Sequence, residues 1–133
     1  MATTTARLNL SSSDLVSDNL SLVVSAEFNA AGTTTGLTET TGLRRQTMAS
    51  TAETKLIEEG DYTDDTSNWL YFKNTSSTAT RYVDITIGSI GSSIKLARVY
   101  NGEWALIPYA GNADVNVQVN NTDIILEWML IHE

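Results

Sequence analysis

The sequence predicts an all-β chain: an antiparallel β-sandwich of jelly-roll type or a small barrel, with a long Thr/Gly-rich loop and an N-terminal arm. Three observations predict it. Short runs of aromatic and β-branched residues alternate with polar ones at a period of two, the signature of strands with one buried face. Polar turn clusters separate these runs at intervals of about 8 to 15 residues. No stretch sustains the 3.6-residue period of an amphipathic helix.

The elements follow in order. Residues 1–7 are mostly small and polar and read as an arm, leaving 8–133 as a single sandwich domain. Leu8 and Leu10 alternate with Arg7 and Asn9, and Ser11-Ser12-Ser13-Asp14 makes a turn. Leu20, Leu22, Val24, Ala26 and Phe28 alternate with Ser21, Val23, Ser25 and Glu27, the cleanest strand pattern of the first half. From Asn29 to Thr54 the chain turns to Thr, Gly and Ala with little periodicity. Loops this long are usually functional or ordered by a partner. We therefore read 29–54 as a long loop or assembly arm, mobile in the free protein, with Leu37, Leu43, Arg44 and Arg45 as candidate assembly contacts. Glu53 to Ile57 is a short strand with Leu56 or Ile57 inward.

Trp69 to Phe72 and Tyr82 to Ile87 are strand-forming runs, and the polar Asn74 to Thr80 between them reads as the connection of a hairpin. Ile94 to Val99 is another strand. Asn101-Gly102 is a strong hairpin signal, since both residue types tolerate positive φ. Trp104 to Tyr109 follows, with Pro108, the only proline, marking an edge or a strand end. Val115, Val117 and Val119 alternate with Asn116 and Gln118. The last strand, Ile124 to Ile131, is apolar on both faces except for Glu127, as a central or covered strand would be. Leu22, Val24, Val83, Ile85, Val117 and Val119 are the expected core between the sheets.

Composition narrows the function. A chain of 133 residues without cysteine forms no disulfide and no thiolate metal site. Its formal net charge of −8 argues against binding nucleic acid or an anionic membrane. Its first ten residues lack the apolar stretch of a signal peptide, so synthesis in a cytoplasm is expected. Glu58 to Asp65 gathers five carboxylates in eight positions, but without the EF-hand spacing, and reads as a solvated acidic loop. The single histidine, His132, has neither a second histidine for a metal nor a nucleophile elbow to serve. We expect no enzyme, no metal and no cofactor. Aromatic side chains remain as binding groups able to stack on sugar rings. Trp69, Tyr71, Trp104 and Tyr109 are the candidate exposed aromatic contacts, against the plainer reading of core or subunit-interface residues.

Trp69-Leu70-Tyr71-Phe72-Lys73-Asn74, Tyr82-Val83-Asp84-Ile85, Gly102 to Pro108 and the ending Leu126 to Glu133 together resemble the small virion structural proteins of tailed bacteriophages, marine ones especially. The resemblance spans Trp69 to Glu133, about half the chain. It implies a capsid decoration (cement) protein on the outer capsid surface, a homo-oligomer and in the expected form a homotrimer, partnered by the major capsid protein or by tail proteins. The alternative it leaves open is a tail-fibre or receptor-binding module that holds a host glycan.

Overall fold

The computed structural model describes residues 2–15 and 17–133. Among them no helix occurs, and the strands are β1 (Thr5–Ser12), β2 (Leu20–Glu27), β3 (Glu39–Thr40), β4 (Arg44–Thr47), β5 (Thr54–Ile57), β6 (Asn68–Asn74), β7 (Tyr82–Ile87), β8 (Ile94–Tyr100), β9 (Trp104–Tyr109), β10 (Val115–Val119) and β11 (Ile125–His132). All pairings are antiparallel.

The topology is a rolled ribbon. β4 pairs with β11, β5 with β10, β6 with β9 and β7 with β8, so one half of the chain runs out and the other returns beside it. Two further pairings, β11 with β6 and β10 with β7, arise because the ribbon is rolled onto itself. The result is two open sheets, β5-β10-β7-β8 and β4-β11-β6-β9, with β3 continuing β4 along the same side of β11. Nested pairing across two facing sheets is the jelly-roll arrangement. Each sheet keeps two free edges, which makes this a sandwich and not a closed barrel.

The two-residue period explains the core. In β6, Leu70 and Phe72 point inward, as do Leu126, Trp128 and Leu130 in β11. From the opposite sheet come Val83 and Ile85, then Val115, Val117 and Val119. Ile57 of β5, Met48 and Ile124 close the ends. Burying each such side chain contributes roughly 1.5–3 kcal/mol. β11 is apolar on both faces because it is central, flanked by β6 on one side and β3 and β4 on the other. Pro108 sits on β9, an edge strand, where its missing amide costs no ladder bond.

Several expectations need correction. The run from Trp69 to Gly88 is not a hairpin, because β6 and β7 lie in opposite sheets. The rolled ribbon bends there, and the buried Asn74 side chain pins the bend by donating to the carbonyls of Arg81 (3.1 Å) and Val99 (3.2 Å). Asn101-Gly102 likewise turns the chain between sheets. Gly102 takes φ 74°, and its amide donates to the Asn74 carbonyl at 2.9 Å. Within 29–54, residues expected in a loop form β3 and β4, since β11 offers them a free edge to pair with. Residues 5–7 of the expected arm belong to β1, while Met1 lies outside the described residues.

Leu22 and Val24, expected in the core, are 41% and 47% exposed. β2 pairs only with β1, in a two-stranded sheet of its own. Their period was a true strand signal, but no second sheet covers the face it creates. The polar face of β7 is covered as well as the apolar one: Asp84 and Thr86 are buried.

Candidate functional site

Three surfaces qualify as interaction sites. The first is the β1–β2 ribbon. Its register pairs Ala6 with Ala26, Leu8 with Val24, Leu10 with Leu22 and Ser12 with Leu20. Directly paired residues share a face, so these residues form one apolar strip. The alternate pairs, Thr5–Glu27, Arg7–Ser25, Asn9–Val23 and Ser11–Ser21, form the opposite, mostly polar face. Both charged side chains of the two strands, Arg7 and Glu27, fall on that polar face. Leu8, Leu10, Leu22 and Val24 are all exposed.

The second surface is the groove where the ribbon meets the outer face of β6 and β9. It is lined by Ala6, Arg7, Tyr71, Lys73, Trp104 and Leu106. Trp104 is 55% exposed, and the half-buried Tyr71 donates its hydroxyl to the Glu127 carboxylate at 3.2 Å. Burial, reinforced by that carboxylate, pushes the Tyr71 hydroxyl above its ordinary value. The Arg45 guanidinium beside Glu127 (3.0 Å) is the chief reason that the carboxyl stays below its own. Of the four aromatics singled out in the sequence, only Tyr71 and Trp104 come together here. Trp69 is stacked by Phe28, with ring centroids 4.2 Å apart and planes at 10°. Tyr109, expected to be exposed, is buried: its parity on β9 points it inward, and its hydroxyl donates to the Ala113 carbonyl.

The third surface is the free edge along β3 and β4. Leu43 is exposed there, Arg45 extends toward Glu127, and the Arg44 guanidinium lies 5.1 Å from the Trp128 ring centre. Leu37 is not part of it. It is buried beside Ala2, Thr4, Met129 and Ile131, where its amide donates to the Phe28 carbonyl at 2.8 Å. Gly36 permits that packing, since a Cβ there would lie 1.9 Å from the Ala2 carbonyl oxygen.

One polar cluster escaped the sequence reading. Asp84 accepts from Arg98 Nε (2.6 Å) and Nη2 (2.9 Å), and Lys95 Nζ lies 2.6 Å away. The Arg98 guanidinium in turn covers the Tyr82 ring at 3.7 Å. Burial pushes the Asp84 carboxyl up, but the hydrogen bonds and charges of Arg98 and Lys95 outweigh it and leave the group below its ordinary value. Alternation along β8 could have suggested Arg98. Lys95 could not have been foreseen, because a bulge between Ile85 and Thr86 brings it beside Thr86. This cluster is a satisfied ion network that covers the outer face of the sheet.

Among the described residues, no three or more His, Asp or Glu side chains gather in a way that could hold a metal ion. His132 meets the Tyr62 ring edge-on at 4.7 Å and the Glu133 carbonyl at 2.7 Å. No protein-family model, curated protein or solved structure matches the chain.

Proposed function

We propose that the protein is a structural assembly protein of a tailed-bacteriophage particle, a homo-oligomeric decoration protein that binds and stabilises the major capsid shell. The observation that carries this reading is the β1–β2 ribbon. An apolar strip on a two-stranded sheet of its own, with no second sheet over it, is open to another chain. The resemblance of residues 69–133 to virion structural proteins supplies the setting. Jelly rolls serve viral capsids and lectins alike, so the architecture suits the reading without deciding it. On this view the edge along β3 and β4, with Leu43, Arg44 and Arg45, faces the shell, where an unpaired strand edge and two guanidinium groups can clamp a neighbour. The net charge of −8 suits an outward-facing protein that must not adhere to packaged DNA.

The test is mass spectrometry and a density map of purified particles whose genome encodes the chain. The expected result is density on the outer capsid surface. Absence from purified particles overturns the proposal, and density confined to the tail favours the second reading. That reading, a host-glycan module, rests on Trp104 and Tyr71 in one groove beside Lys73 and Arg7. Its test is a glycan screen read by tryptophan fluorescence. Quenching by a sugar that disappears in Trp104→Ala supports it, and a screen without a hit removes it.

A further inference from the structure

The ribbon's apolar strip has an occupant that its own chemistry selects. We propose that it packs face to face against the same strip of a second copy, forming a four-stranded sandwich about a twofold axis between the Leu8–Val24 and Leu10–Leu22 pairs. This deepens the assembly reading given above, and rests on it only in taking the ribbon as a contact surface.

Charge is the first argument. Two chains of net charge −8 repel, and they meet most cheaply on a face that carries no charge. The strip is such a face, because Arg7 and Glu27 both lie on its far side. Its pattern is also self-complementary. Leucine and valine pairs sit at its centre, alanine (Ala6–Ala26) at the base and Ser12–Leu20 at the tip, so a twofold axis brings bulky residues against bulky residues.

Geometry decides the number of copies. A two-stranded ribbon is about 10 Å wide, and packed sheets stand about 10 Å apart, leaving about 5 Å from each sheet to the mid-plane. Three ribbons closed into a triangle of that width would leave only about 3 Å from each to the axis, too little for leucine. Two ribbons face to face fit, so the pair replaces the trimer that the resemblance implies.

Area sets the strength. Eight paired residues span about 27 Å, which gives a strip of roughly 300 Å² per copy, well under the roughly 800 Å² per partner of a standard interface. Trp104 and Leu106 border the strip's base, in a groove shared with Ala6, Leu8 and, from the polar face, Arg7. The association is therefore reversible and concentration-dependent.

The experiment uses the full chain. Sedimentation from about 1 µM to about 1 mM should show monomer passing to dimer. Leu22→Glu should hold the chain monomeric across that range, while Ser25→Glu on the polar face should leave the dimer intact. Near-ultraviolet circular dichroism reports that the body is still folded in each. Since the chain has no cysteine, single substitutions give unambiguous cross-links. Leu10→Cys beside the axis should be joined into a covalent dimer by a bis-maleimide that spans the sheet spacing of about 10 Å, and Ser25→Cys should not. A chain that is monomeric at every concentration, a trimer, a Leu22→Glu dimer, or equal cross-linking at Leu10→Cys and Ser25→Cys would each overturn the proposal. A monomer found bound to the capsid would end the pairing and leave the virion reading standing. A dimer missing from purified particles would do the reverse.

Discussion

Val83 and Ile85 of β7 and the strip residues Leu8, Leu10, Leu22 and Val24 obey the same two-residue rule, and their surroundings could hardly differ more. The first two are fully buried between sheets, and the other four are exposed. Both sets sit in well-paired antiparallel strands. What separates them is the layer opposite. β7 belongs to a four-stranded sheet facing another sheet, whereas β1 and β2 have only each other. Hydrophobic alternation therefore specifies that a face will be apolar. It does not specify what will cover it, and a face left bare by its own chain is one that another chain can use.

The sharpest way to test this contrast is to truncate inside the body. Ile85→Ala should lower stability by roughly 2–5 kcal/mol, measured by urea unfolding, because the tightly packed surroundings cannot collapse into the cavity. A loss below about 0.5 kcal/mol would mean that β7 is not the centre of the fold.

Gly111→Ala probes a corner of the rolled ribbon. Gly111 has φ 87°, and a Cβ there would stand 2.7 Å from the Thr63 carbonyl oxygen. Strain and contact act together, and a loss of about 2 kcal/mol is expected. Gly36→Ala would meet an even closer carbonyl, that of Ala2, but without a positive φ, so a shift of residues 2–4 relieves the contact and no backbone strain is added. Its cost should be smaller. Equal losses at the two sites would show that residues 2–4 are held as firmly as the corner.

Asp84→Asn should cost about 1–3 kcal/mol near neutral pH, where the wild-type carboxylate accepts charged hydrogen bonds from Arg98. The sign of the pH dependence follows from the direction of the shift. A carboxyl held below its ordinary value stabilises the fold above its unfolded pKa, near 3.9, and that contribution is lost as pH falls through the folded value. The gap between wild type and Asp84→Asn should therefore be full at pH 7 and narrow below about pH 4. A gap that does not change with pH would assign the loss to packing.

Much of the body was legible in the sequence. The runs around Val83, Val117 and Leu126 announce strands, their inward faces and the central position of β11. Sheet membership was not legible. Asn101-Gly102 and the polar run after Asn74 are good turn chemistry, but turn chemistry is local. Whether a turn folds a strand back on its neighbour or across to the other sheet depends on the rolled ribbon as a whole. The edge strands β3 and β4 were missed for a related reason. Thr40 and Arg44 to Thr47 carry no apolar period, since their pairing is supplied by the free side of β11. Among the site residues, Trp104 was legible as an aromatic on an edge strand. Tyr109 and Leu37 were not, because their burial depends on inward parity along β9 and on packing beside residues 2–4.

The smallest expected effect closes the contrast from the ribbon's side. Leu22→Ala removes as many side-chain carbons as Ile85→Ala. In dilute protein, however, Leu22 already meets water, so its truncation leaves no cavity and gives up little buried area. The loss there should stay within about 0.5 kcal/mol, as for an ordinary surface site. The prediction sharpens with concentration. If two ribbons pack face to face, folding and association are linked, and the apparent stability of the wild type rises with protein concentration by mass action. Leu22→Ala weakens the pair, so its deficit relative to wild type should grow as the protein is concentrated, while that of Ile85→Ala should stay constant. Urea midpoints measured at two concentrations a hundredfold apart read this directly. A Leu22→Ala deficit that is large already in dilute solution would mean that the strip is covered within its own chain.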